Sequence, residues 1–157
     1  MNKTLLGMVI IGVSATPVMA AEFTCQLENK KYVSLIVDPG KTPQYRYGTL
    51  AKPEITLPLN EKGAKNIFVG QGHFIAGESL YIRFQNGPYS YLLYQGEGRG
   101  WAFKGLAVYK NNKLINKKEC QNWNSFDLYD ILNYQIRTDP ALELYDSPYS
   151  FDPNSNE

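Results

Sequence analysis

Leu80-Tyr81-Ile82-Arg83-Phe84-Gln85-Asn86-Gly87-Pro88-Tyr89-Ser90-Tyr91-Leu92-Leu93-Tyr94 is the stretch that decides the fold class. Leu80, Ile82 and Phe84 alternate with Tyr81, Arg83 and Gln85, the period-two pattern of a strand with unlike faces. Asn86-Gly87 comes next, followed by a second apolar run. Asn-Gly between two such runs predicts a hairpin, because both residues tolerate positive φ. Pro88 has no N–H for a ladder and is expected at the strand start or on an edge.

The same signals repeat outward in both directions. Phe23, Cys25 and Leu27 alternate with polar residues, Val33, Leu35 and Val37 follow after Asn29-Lys30, and Asp38-Pro39-Gly40 turns the chain. Residues 44–50, then Ile55, Leu57 and Leu59, then Ile67-Phe68-Val69 continue the series. Beyond the hairpin, Gly96-Glu97-Gly98-Arg99-Gly100 reads as a mobile tip, 101–109 as a strand and Lys110-Asn111-Asn112-Lys113 as a second turn. The expected fold is all-β, a small antiparallel barrel or sandwich of about eight strands. Past Cys120 the period changes. Ser125 is placed to cap a short helix carrying Phe126, Tyr129, Ile131 and Leu132.

The ends of the 157-residue chain read differently. Lys3, the apolar run from Leu5 to Val13, and Val18-Met19-Ala20 make residues 1–20 a signal peptide expected to be cut before Ala21. The apolar run is shorter than the roughly 20 residues a bilayer requires, so no membrane anchor is expected after cleavage. Removing 20 of 157 residues leaves 137, which suits one domain. The division is 21–137 for a single β-rich body and 138–157 for an irregular acidic tail containing prolines.

Charge follows that division. Residues 21–137 hold 15 Lys and Arg against 10 Asp and Glu, whereas 138–157 hold five acids and no base. Asp139, Glu143 and Asp146 are expected to dock weakly near Lys110, Lys113, Lys117 and Lys118. The mature balance is neutral, which argues against a nucleic-acid partner. Cys25 and Cys120 are the only cysteines, and export to an oxidising compartment predicts that they pair. With a single histidine they make no zinc site of the usual kind, and no motif calls for a metal or a cofactor.

Catalytic equipment is sparse. His73 lies in a glycine-punctuated segment, read as a loop, with no nucleophile motif beside it. Glu54, Glu78 and Glu97 are the carboxylates a hydrolase would use, but none sits in a motif. Tyrosine stands out instead. Tyr45 and Tyr47 share one strand face, and Tyr89 and Tyr91 share another, a pattern suited to stacking on sugars or anchoring a protein.

Trp101-Ala102-Phe103-Lys104-Gly105-Leu106-Ala107-Val108-Tyr109, running on to Cys120, resembles the closing part of the bacterial periplasmic inhibitors of chicken-type lysozyme. The resemblance covers residues 80–120 and implies a small exported antiparallel barrel. The family's inhibitory loop is Ser-Gly-x-x-Tyr. Here the corresponding turn is Asn86-Gly87-Pro88-Tyr89-Ser90, without the leading serine and with tyrosine one place early.

The functional expectation is a non-enzymatic periplasmic or secreted protein that binds or inhibits an envelope protein, such as a cell-wall-degrading enzyme or a toxin. Asn86, Tyr89, Tyr91, Arg99 and Trp101, on or beside two hairpin tips, are the expected binding residues. The alternatives are a structural protein bound to cell-wall polysaccharide and a carboxylate hydrolase. Thiol titration of the denatured chain should find no reactive sulfur before reduction and two after it; two without reductant would remove the bridge.

Overall fold

The computed structural model describes residues 21–74, 76–122 and 127–145, the side chains of Phe74 and Glu143 excepted. Residues 1–20, Ser125, Phe126 and 146–157 lie outside the described residues, and with them the expected signal peptide, the expected helix cap and Asp146. Ten strands are described rather than eight: β1 Ala21–Gln26, β2 Tyr32–Val37, β3 Gln44–Gly48, β4 Pro53–Leu57, β5 Ile67–Phe74, β6 Gly77–Asn86, β7 Tyr89–Gly98, β8 Trp101–Lys110, β9 Lys113–Glu119 and β10 Arg137–Thr138. They form two sheets, one ordered β1-β2-β3-β4 and one ordered β10-β5-β6-β7-β8-β9. The sheets do not close into a barrel. All pairings are antiparallel except β10 with β5.

Three local expectations change. His73 is on a strand, because β5 runs on to Phe74 and pairs residue by residue with β6. The β6–β7 turn is centred on Gly87-Pro88, with Asn86 already paired to Tyr89. Only Gly87 takes positive φ there, at 58°, and proline supplies the second corner from its fixed ring. The helix expected from Ser125 begins outside the described residues; within them Tyr129–Asn133 is a 3-10 helix, and the described α-helix is the single turn α1, Leu142–Tyr145.

Facing residues of the two sheets make the main core. Val33, Leu35, Val37 and Tyr45 pack on Leu80, Ile82, Phe84, Leu93 and Leu106. The disulfide Cys25–Cys120, with Cα atoms 5.5 Å apart, joins β1 of one sheet to the end of β9 in the other. Around it the Gln121 amide donates to the Gln26 carbonyl (2.7 Å) and the Cys120 amide to the Lys104 carbonyl (2.8 Å). The staple therefore lies in a zipped seam between the sheets. In the chain-entropy description a loop of this size adds about 4–5 kcal/mol.

The outer face of the larger sheet is buried as well. Tyr81, Leu92, Tyr94, Trp101, Phe103, Ala107 and Tyr109 form a second core there with Tyr145. Glycines make room for these rings. A Cβ at Gly96 would come within 2.7 Å of the Tyr94 ring, and one at Gly70 or Gly98 would collide with Tyr81 or Trp101. The glycines expected to make a mobile tip at 96–100 are thus mostly strand, with only Arg99-Gly100 left to turn.

Residues 137–145 cover part of this face, so the expected tail boundary falls inside β10. Asp139 is buried and meets Arg83, not the lysine cluster: Arg83 donates through Nε at 2.6 Å and Nη2 at 2.7 Å. The guanidinium lies between the rings of Phe68 and Tyr145, 4.5 and 4.7 Å from their centres. The Tyr81 hydroxyl (3.0 Å) and Ala141 amide (2.9 Å) also donate to Asp139. Burial alone would raise the Asp139 pKa, but these donors and the Arg83 charge outweigh it and hold the carboxyl below its ordinary value of 3.8.

Removing one partner of so buried a pair strands a charge. Arg83→Met or Asp139→Leu should each cost about 3–5 kcal/mol in urea unfolding, and the double variant less than either. Because the folded pKa is depressed, the Asp139 contribution is complete above the ordinary carboxylate value and is lost as pH falls through the folded one. Asp139→Asn should therefore flatten the acid limb of the stability curve. An unchanged limb would show that the pair does not couple to folding.

Candidate functional site

The alternation of β3 points Tyr45 and Tyr47 toward the larger sheet, and that of β7 points Tyr89 and Tyr91 back toward them. These side chains, with Ile55, Leu106, Val108, Ile115, Asn116 and Lys118, line a largely apolar cleft of about 250 Å³ between the sheets. Tyr45 and Tyr91 meet with ring centres 5.6 Å apart, and Tyr91 stacks on Tyr89 at 6.3 Å. Tyr45 is fully buried and forms the inner wall, while Tyr89 and Tyr91 are partly open.

Ile115 reaches the mouth through a break in register. Pairing passes from Tyr109↔Leu114 to Val108↔Asn116, which leaves Ile115 as the extra residue of a β-bulge. It lines the cleft and is 54% exposed, on an edge strand otherwise rich in lysine. Bulges commonly re-aim a side chain next to a site, and here the result is an apolar residue left in water.

The rim is held in place. Asn29 donates to the Tyr47 hydroxyl at 3.0 Å, and Lys31 sits over the Tyr47 ring while pairing with Glu54 at 2.7 Å. That hydrogen bond to Glu54 raises the Lys31 pKa. Lys110 covers Tyr89 at 5.3 Å. The Asn111 amide donates to the Pro88 carbonyl at 2.9 Å, tying the β8–β9 turn to the β6–β7 turn.

Polar chemistry in the cleft is confined to a few atoms. Burial, then the neighbouring Tyr91 and Tyr47, lifts the Tyr45 pKa well above the ordinary phenol value, and burial lifts Tyr91. The Tyr45 hydroxyl is buried with no hydrogen-bond partner among the described residues. Such an orphan costs about 1–3 kcal/mol.

Of the expected binding residues, Tyr89 and Tyr91 line this cleft and Asn86 lies on the adjoining turn. Arg99 and Trp101 are at the opposite end of the ten-residue strands β7 and β8, and Trp101 is only 8% exposed in the outer core. Ile55, Val108 and Ile115 were not legible as site residues. The one available signal was Leu114-Ile115, two adjacent apolar residues that break the alternation of β9.

The glutamates divide between places. Glu54 is committed to Lys31 on the smaller sheet. Glu78 and Glu97 are cross-strand partners on the larger sheet, with His73 opposite Glu78 on the other side. Tyr129 donates to Glu78, and burial followed by that acceptor raises the Tyr129 pKa above the ordinary phenol range. Beside it the Leu128 amide donates to Gln95 Oε1 at 2.9 Å. Together these contacts dock the 3-10 segment onto the sheet. Among the described residues no three His, Cys, Asp or Glu side chains gather as metal ligands.

Comparison with family models, curated proteins and solved structures returns no match.

Removing an unsatisfied buried hydroxyl costs no hydrogen bond. Tyr45→Phe should leave the melting temperature unchanged or higher, where a bonded hydroxyl would lose about 1 kcal/mol. A drop of several degrees would mean that the hydroxyl is satisfied.

Proposed function

We propose that this chain is an exported, non-catalytic binding protein that grips an envelope protein in the tyrosine cleft and thereby inhibits it, the target being a cell-wall-degrading enzyme or an envelope-directed toxin. The convergence of Tyr45, Tyr47, Tyr89 and Tyr91, from strands of both sheets, on one open apolar slot carries this reading. Tyrosine gives such a slot broad ring area with few rotatable bonds, which suits an anchor pocket. The disulfide is compatible with an oxidising, exported setting. The resemblance to lysozyme inhibitors lies on β6–β9, and the turn where it departs from that family ends at Tyr89, on the mouth of the cleft.

A second reading, attachment to cell-wall polysaccharide, is favoured by one observation: Tyr89 and Tyr91 present stacked rings with an interplanar angle of 30°. Pull-down from envelope extract, lysozyme inhibition assays and sedimentation with purified cell wall separate the two. The inhibitor reading expects capture or inhibition that Tyr91→Ala abolishes and that alanine at Glu78 and Glu97 leaves intact, with no sedimentation. Neither capture nor inhibition at micromolar protein would overturn it, and sedimentation alone would install the second.

A further inference from the structure

The cleft is small for a whole ligand. At about 250 Å³ it falls below the roughly 300–1,000 Å³ of pockets that enclose drug-sized molecules, and its size suits one inserted side chain. The lining is almost wholly apolar, made of tyrosine rings with Ile55, Leu106, Val108 and Ile115. Its rim is cationic. Lys118 lines it, Lys110 lies over Tyr89, and Lys113 stands on the same hairpin. None of the three is in an ion pair among the described residues, whereas Lys31 across the mouth is neutralised by Glu54. The adjoining edge strand bears Lys113, Lys117 and Lys118, a composition that discourages addition of another strand and directs recognition to side chains.

Resting on the cleft as the binding site, we infer that its occupant is an acidic segment of a protein partner which inserts one apolar or aromatic side chain against Tyr91 and Ile115. Carboxylates flanking the anchor meet Lys110, Lys113 and Lys118. A rim charge of this kind sets encounter rate and partner choice more than final affinity, so salt dependence is its signature.

NMR titration of the full mature chain reads this directly. The probes are a Phe-centred peptide flanked by Asp and Glu, its Lys-flanked counterpart, its Ala-centred counterpart, a peptide copying residues 146–157 and an N-acetylglucosamine oligomer. The acidic Phe peptide should shift cleft resonances and bind about tenfold or more tighter than the Lys-flanked and Ala-centred forms. The margin over the Lys-flanked form should collapse between about 0.01 M and 1 M salt, where the Debye length contracts from about 30 Å to about 3 Å, and the margin over the Ala-centred form should persist. Lys110→Glu/Lys118→Glu should invert the charge preference.

Equal binding of the Lys-flanked peptide, preference for the oligosaccharide, or tighter binding of the 146–157 peptide would each overturn the inference while leaving the cleft a binding site. No shift at any cleft residue with millimolar probe would overturn both.

Discussion

A sheet that is apolar on both faces must be covered twice, and the pairing of Arg83 with Asp139 secures the second cover. One face of β6–β8 packs on the four-stranded sheet, and the other carries Tyr81, Tyr94, Trp101, Phe103 and Tyr109. Left bare, that second face would be a contiguous apolar patch in water. The chain lays residues 137–145 over part of it: β10 adds a short parallel strand beside β5, and Tyr145 comes down against Tyr81 and Tyr109. Arg83, caught between Phe68 and Tyr145 and bound through two nitrogens to Asp139, fixes the registry of that cover.

This arrangement explains what the sequence reveals and what it hides. The strands and the β8–β9 turn were legible, because period-two alternation and Asn-rich turns are local properties; Asn111 and Asn112 both take positive φ there. The disulfide followed from a count of two. Burial of both faces was not legible. Leu80, Ile82 and Phe84 opposite Tyr81, Arg83 and Gln85 reads as inside against outside, since tyrosine and arginine are residues of half-exposed surfaces. What puts Tyr81 and Arg83 inside is Asp139, 56 residues after Arg83, and no local pattern announces so distant a partner.

The candidate site divides in the same way. Face-sharing within Tyr45/Tyr47 and within Tyr89/Tyr91 follows from the pleat. Their meeting depends on how the two sheets stack. Choosing residues by nearness to hairpin tips was a weaker guide, because consecutive hairpin tips lie at opposite ends of a long strand. Arg99 and Trp101 were separated from Tyr89 on that account. Ile115 depends on a bulge, a one-residue slip that alternation shows only as a fault in its rhythm.

One small contact at the mouth has a wider effect. The bond from the Asn111 amide to the Pro88 carbonyl couples two turns, each already confined by the backbone, one by a proline ring and the other by paired left-handed asparagines. Two loops that would otherwise sample space independently thus behave as a single rigid lip. A guest entering here meets walls whose conformational freedom was surrendered during folding, and the entropy that opposes association falls almost wholly on the guest.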